Sequence, residues 1–154
     1  MKEGFGTIFY KNGNSYQGQW KGDQLWGNGV FHFKNGNYYE GNFVNGNFEG
    51  QGLMFFVGIG TYKGSFRFGG NLDGIGRFEY LNGAVYEGEW KENKKHGSGK
   101  FVEAEGGIHY GHWENDLKHG KGKFLESMFM IEGRWDKGIL VEMTKFQEYQ
   151  CTKD

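Results

Sequence analysis

The chain of 154 residues fits one domain, but its makeup is unusual: 30 glycines, no proline, 19% aromatic residues and a formal net charge of −1. Glycine far above its usual share of about 7%, without proline or a G-x-y period, excludes collagen, and so many aromatics argue against a disordered linker. Near-neutral charge gives no general attraction to nucleic acid, and no nucleic-acid partner is expected.

The amino terminus, Met1 to Phe5, lacks the apolar core of a signal peptide, and no apolar run approaches the roughly 18 residues of a membrane helix. A single cysteine, Cys151, excludes an intrachain disulfide and suits a reducing compartment. The expected location is cytoplasmic, with cytoskeletal or membrane association left open. Gly4 and Gly6 then form the second half of a unit whose first half is missing, so the array is expected to begin mid-repeat.

Full units follow, beginning at Tyr16, Tyr39, Tyr62, Tyr86, His109 and Ile131, with spacings of 23, 23, 24, 23 and 22 residues. Two places after each start stands Gly18, Gly41, Gly64, Gly88, Gly111 or Gly133, and two further stands Trp20, Phe43, Phe66, Trp90, Trp113 or Trp135. A glycine doublet comes next: Gly27/Gly29, Gly50/Gly52, Gly74/Gly76, Gly97/Gly99 and Gly120/Gly122. A fixed period of this length marks a repeat array in which each unit packs mainly on its neighbours.

Alternation inside each unit has period two, which predicts strands. Tyr16, Gly18 and Trp20 share one face, as do Gly29, Phe31 and Phe33. Asn12-Gly13, Asn35-Gly36 and Asn82-Gly83 predict hairpin turns in which both residues take positive φ. The opposite turns, such as Lys21 to Trp26, read as looser. The expected fold is all-β: an elongated, twisted, single-layer antiparallel β-meander of repeated hairpins, with roughly eleven or twelve strands spanning roughly 50–60 Å. A strand glycine costs stability, so the doublets imply close approach of a ring or strong curvature.

These phrases resemble the MORN repeat, whose pattern runs close to Y-x-G-x-W-x-x-G-x-x-x-G-x-G. Tyr39 to Gly52 fits nearly every position, and the resemblance covers about residues 4 to 138. It implies a non-enzymatic array that serves as a scaffold, membrane-associated linker or peptide-binding module. Asp23, Asn93 and Asp116 stand where the turn glycine belongs, a mild change because Asn and Asp tolerate left-handed turns. Gly74 arrives one residue late, predicting a bulge or longer turn near Phe68 to Asp73. The unit from Gly122 to Ile131 is one residue short and lacks the Asn-Gly turn. Residues 1–138 are thus expected to form the array and 139–154 a capping segment or tail, with strand and helix spacing both present after Gly138.

Catalytic motifs are missing. No G-x-x-x-x-G-K-[S/T] accompanies the glycine doublets, so no nucleotide cofactor is expected. His109 and His112 fall on opposite faces of a regular strand, and no metal site is expected. Glu87, Glu89, Glu92 and Glu114 read as solvated hairpin residues. The leading expectation is a non-enzymatic scaffold or adaptor that takes a protein segment along an aromatic trough, with Tyr39, Tyr62, Tyr86, Trp90 and Trp113 as central contacts. The alternative is a peripheral membrane tether that binds anionic phospholipid headgroups through a basic ridge of Lys94, Lys95, Lys118 and Lys121. An open terminal strand would also permit homodimerisation.

Overall fold

The computed structural model describes residues 1–149; Cys151 lies outside the described residues. Thirteen strands follow in chain order: β1 (Gly4–Phe9), β2 (Ser15–Lys21), β3 (Gln24–His32), β4 (Tyr38–Val44), β5 (Asn47–Phe56), β6 (Gly60–Arg67), β7 (Asn71–Tyr80), β8 (Val85–Lys91), β9 (Lys94–Val102), β10 (Ile108–Glu114), β11 (Leu117–Glu126), β12 (Phe129–Asp136) and β13 (Ile139–Glu148). Each pairs antiparallel with the next in one open sheet. The expected count falls short because the segment after Gly138 extends the sheet: Ile139 to Glu148 pairs with β12. Among the described residues, no helix is long and apolar enough to cross a membrane.

Register is set by glycine meeting glycine. Gly6 faces Gly18, which faces Gly29, which faces Gly41, and the same column runs on through Gly122 and Gly133. The two glycines of a doublet have different jobs. Gly27, at φ 59°, absorbs the bulge that follows Gly18, a backbone state that costs an L side chain energy. Gly29 makes room: a Cβ there would lie 2.5 Å from Cε2 of Tyr16. The tyrosine ring therefore lies flat over its own glycine pair, and its hydroxyl donates to the carbonyl of Gln19 at 2.8 Å.

The turns reverse the expectation. The turns at Asn12-Gly13, Asn35-Gly36 and Asn82-Gly83 are three-residue loops in which only the glycine has positive φ: Gly13, at 91°, closes its turn by donating its N–H to the Tyr10 carbonyl at 3.0 Å. The supposedly loose turns are the tight ones, with two consecutive positive-φ residues, Gly22 at 57° and Asp23 at 66° or Asn115 at 49° and Asp116 at 69°. That geometry matches the twist of the flanking strands. The extra residue that delays Gly74 is accommodated at Phe68, Gly69 and Gly70, all with positive φ. The short unit turns at Ser127 and Met128 without an Asn-Gly pair.

Asn and Asp in the tight turns add a bond that glycine cannot. The Asp116 N–H donates to the Lys95 carbonyl at 3.1 Å, while Asp116 Oδ1 accepts the Lys95 N–H at 2.8 Å. Asn93 pairs with Leu72 in the same reciprocal way. Gly46 and Gly138 keep only the backbone half, to Leu25 and Lys118. Each tight turn is thus tied to the unit before it.

The core is a chain of rings on one face of the sheet. Within a unit, Tyr39 meets Phe43 edge-on at 5.2 Å, and between units it meets Phe66 at 5.0 Å. Tyr62 then meets Trp90 at 5.4 Å, Tyr86 meets Trp113 at 5.4 Å, and His109 meets Trp135 at 4.7 Å. Edge-to-face contact favours such pairs beyond their buried area. A single layer gains a core here because each unit's ring covers the next.

Candidate functional site

Five rings expected to contact a partner are the core itself. Tyr39, Tyr62 and Tyr86 are 0% exposed, and Trp90 and Trp113 are each 5% exposed. Their polar atoms are satisfied internally: Tyr62 donates to the Ser65 carbonyl at 3.0 Å and Trp90 Nε1 to the Gly76 carbonyl at 3.2 Å. Burial pushes the phenols of Tyr39, Tyr62 and Tyr86 far above their usual range. The three tyrosines offer no accessible area in this conformation, and the two tryptophans offer only an edge, that of Trp90 lining the groove described next.

Reachable apolar surface lies beside them. The second strand of each hairpin ends in a column that reads Phe33, Phe56 and Tyr80, all half-buried, and then changes to Glu103. These rings flank the core, with Phe56 stacked 5.9 Å from Phe78 and Tyr80 4.4 Å from Phe78. Between them a groove of about 410 Å³ is lined by Phe56, Leu72, Phe78, Tyr80, Lys95 and Asp116, among others. Burial raises the Tyr80 phenol to about 12. It therefore stays neutral and can offer a hydrogen bond from the groove wall.

The four lysines do not form one ridge. Period two carries them to three different places. Lys94 is exposed beside a turn. Lys121, exposed, pairs with Arg134 on the face opposite the rings. Lys95 and Lys118 point into the ring face, paired across their hairpins with Trp90 and Trp113. At the same place in other hairpins stand Leu25, Phe48, Leu72 and Leu140. The alternation in the sequence carries this signal: the fifth residue after the second aromatic reads Leu25, Phe48, Lys95, Lys118 and Leu140, with Leu72 one later.

The two inward lysines have different surroundings. Lys118 Nζ meets Glu103 Oε1 at 3.3 Å. Lys95 Nζ sits over four rings, 4.6 Å from the centre of Phe101, 5.1 Å from Trp113, 5.5 Å from Tyr86 and 5.6 Å from Tyr80. Burial pushes its ammonium below the usual lysine range, Asp116 opposes that shift and Lys118 adds to it.

His109 replaces tyrosine in the fifth full unit and is 1% exposed. Its ring is too short to reach the carbonyl three residues on, and Nδ1 has no hydrogen-bond partner. Burial, and secondarily Lys118, lowers its pKa to about 4, so it is neutral and behaves as a packing ring.

On the opposite face, an open groove of about 620 Å³ runs over Gln17, Asn28, Val30, Glu40, Gln51 and Leu53. Among the described residues no cluster of three or more His, Cys, Asp or Glu could hold a metal ion. His119 lies exposed between Glu114 at 3.5 Å and Asp136 at 3.3 Å, on the two neighbouring strands.

The MORN-repeat pattern matches residues 1–15, 16–38, 39–58, 86–107 and 109–125, more than half of the chain. It passes over the unit at Tyr62, where the extra turn residue sits, although Tyr62 packs and hydrogen-bonds as its counterparts do. Comparison with curated proteins finds no match. MORN repeats are in general interaction scaffolds, associated with proteins or membrane lipids.

Proposed function

Because the chain belongs to the MORN-repeat family, we propose that it is a non-enzymatic scaffold or adaptor that holds a protein segment against its aromatic face. The observation that carries this reading is the groove between Phe56 and Tyr80, where half-buried rings stand beside a rigid core. Rings with few rotatable bonds bury large area at low entropic cost, which is why aromatic anchors dominate protein interfaces. Of the five buried rings, Trp90 lines the groove, and Tyr62 packs behind it against Phe78 and Trp90.

Affinity capture from cell extract tests the proposal, with the wild-type chain compared to a Phe56→Ser/Tyr80→Ser variant of unchanged circular dichroism. Proteins held by wild type and lost by the variant are the expected result. Equal capture by both would remove the groove from consideration. The membrane alternative makes its own prediction: binding to vesicles containing anionic lipid that is lost when Lys94 and Lys121 become Gln. The separation of the four lysines weighs against it.

A further inference from the structure

The column paired across each tight hairpin with the second aromatic is apolar at Leu25, Phe48, Leu72 and Leu140, yet is lysine at Lys95 and Lys118, and its members Leu72 and Lys95 line the groove. Exchanging an apolar residue for a cation at an inward position costs desolvation unless something repays it. At Lys118 the repayment is visible: Glu103, fifteen positions earlier, supplies a carboxylate. The residue in the same relation to Lys95 is Tyr80. It brings a ring where the neighbouring unit brings an acid. Among the described residues, no carboxylate lies within 4.0 Å of Lys95 Nζ.

Asp116 shares the groove wall, but its Oδ1 accepts the Lys95 backbone N–H at 2.8 Å, fixing that carboxylate in the turn. The ammonium instead rests on the faces of Tyr80, Tyr86, Phe101 and Trp113. Rings stabilise a cation but leave its N–H donors without acceptors. Next to those donors runs the apolar floor of Phe56, Leu72 and Phe78. One end of the groove is therefore apolar, and the other carries the Lys95 ammonium beside Asn93 and the turn-bound Asp116.

We propose that Lys95 is an acid-reading residue, and that the groove takes an extended peptide segment bearing an Asp or Glu side chain next to apolar or aromatic residues. The peptide carboxylate supplies to Lys95 what Glu103 supplies to Lys118. Its apolar neighbours lie on Phe56 and Phe78, and the neutral Tyr80 hydroxyl stands at the junction. This rests on the groove reading above and adds the charge of the segment.

The test pans a random peptide library on the full chain and on the K95L and K94Q variants, then resynthesises selected peptides with Asp→Asn or Glu→Gln. Leucine already occupies this column at Leu25 and Leu72, so K95L should fold; K94Q removes the adjacent exposed charge as a control. Wild type and K94Q should enrich acids beside apolar residues. The acid-to-amide change should weaken their binding roughly ten- to hundredfold by fluorescence anisotropy. K95L should still select apolar residues but discriminate acid from amide by less than about threefold. Apolar selection without acids in the wild type, or equal acid discrimination by K95L, would overturn the role of Lys95 alone. Selection of no peptide by any of the three would overturn the groove reading with it.

Discussion

His109 shows how one ring exchange alters stability. Histidine ordinarily titrates near 6.5, but this one is held at about 4 in the folded chain, chiefly by burial. Between those values the unfolded chain binds a proton that the folded chain refuses. Its contribution is therefore complete above about 6.5 and falls as pH drops toward about 4, by at most about 3 kcal/mol. His109→Tyr should remove that slope and, by restoring the missing hydroxyl bond, add about 1 kcal/mol at neutral pH. Urea unfolding of both proteins from pH 7 to pH 4 checks this; parallel pH profiles would show that His109 does not set the slope. Glycine makes the complementary case. A Cβ on Gly52 would sit 2.5 Å from Tyr39 Cε2, whereas Gly46 has nothing within 4 Å and only its φ of 81° to resist a side chain. Gly52→Ala should cost about 2–3 kcal/mol and Gly46→Ala about 1 kcal/mol, compared by thermal unfolding.

At the scale of a hairpin, the strands were legible because period two and the glycine column leave one register that puts every ring on the same side. The turns depart from their sequence signals for a physical reason. Asn-Gly is the strongest short-range hairpin signal, yet an extra residue before it gives a three-residue loop that needs left-handed backbone only at the glycine. The tight turns hide their geometry because Asn45, Glu92, Asn93, Asn115, Asp116 and Lys137 adopt positive φ without glycine. At Asn93 and Asp116 the side chain gains a bond to the preceding unit. That bond can be isolated, since Gly46 and Gly138 show that glycine fits the same turn. Asp116→Gly should lose about 1 kcal/mol while Asp116→Asn stays within about 0.5 kcal/mol in urea unfolding. Equal losses would mean that charge, not the acceptor, matters there.

Over the whole molecule, the sequence makes the array and its aromatic face plain, but not which rings remain reachable. Repetition made Tyr39, Tyr62, Tyr86, Trp90 and Trp113 the most conspicuous residues, and repetition is also what lets each unit's ring cover the next. Conspicuous rings became core, and the less regular column of Phe33, Phe56 and Tyr80 became surface. Stacking equivalent loops in register predicts one ridge of Lys94, Lys95, Lys118 and Lys121, but alternation separates Lys94 from Lys95 and Lys118 from Lys121. This sets a division of the aromatics between support and contact. Equilibrium urea unfolding of Trp90→Ala beside Tyr80→Ala tests it most directly. Trp90→Ala should lose about 3–5 kcal/mol and Tyr80→Ala less than half as much. Equal losses, or a larger loss at Tyr80, would contradict the division and place the groove rings in the core.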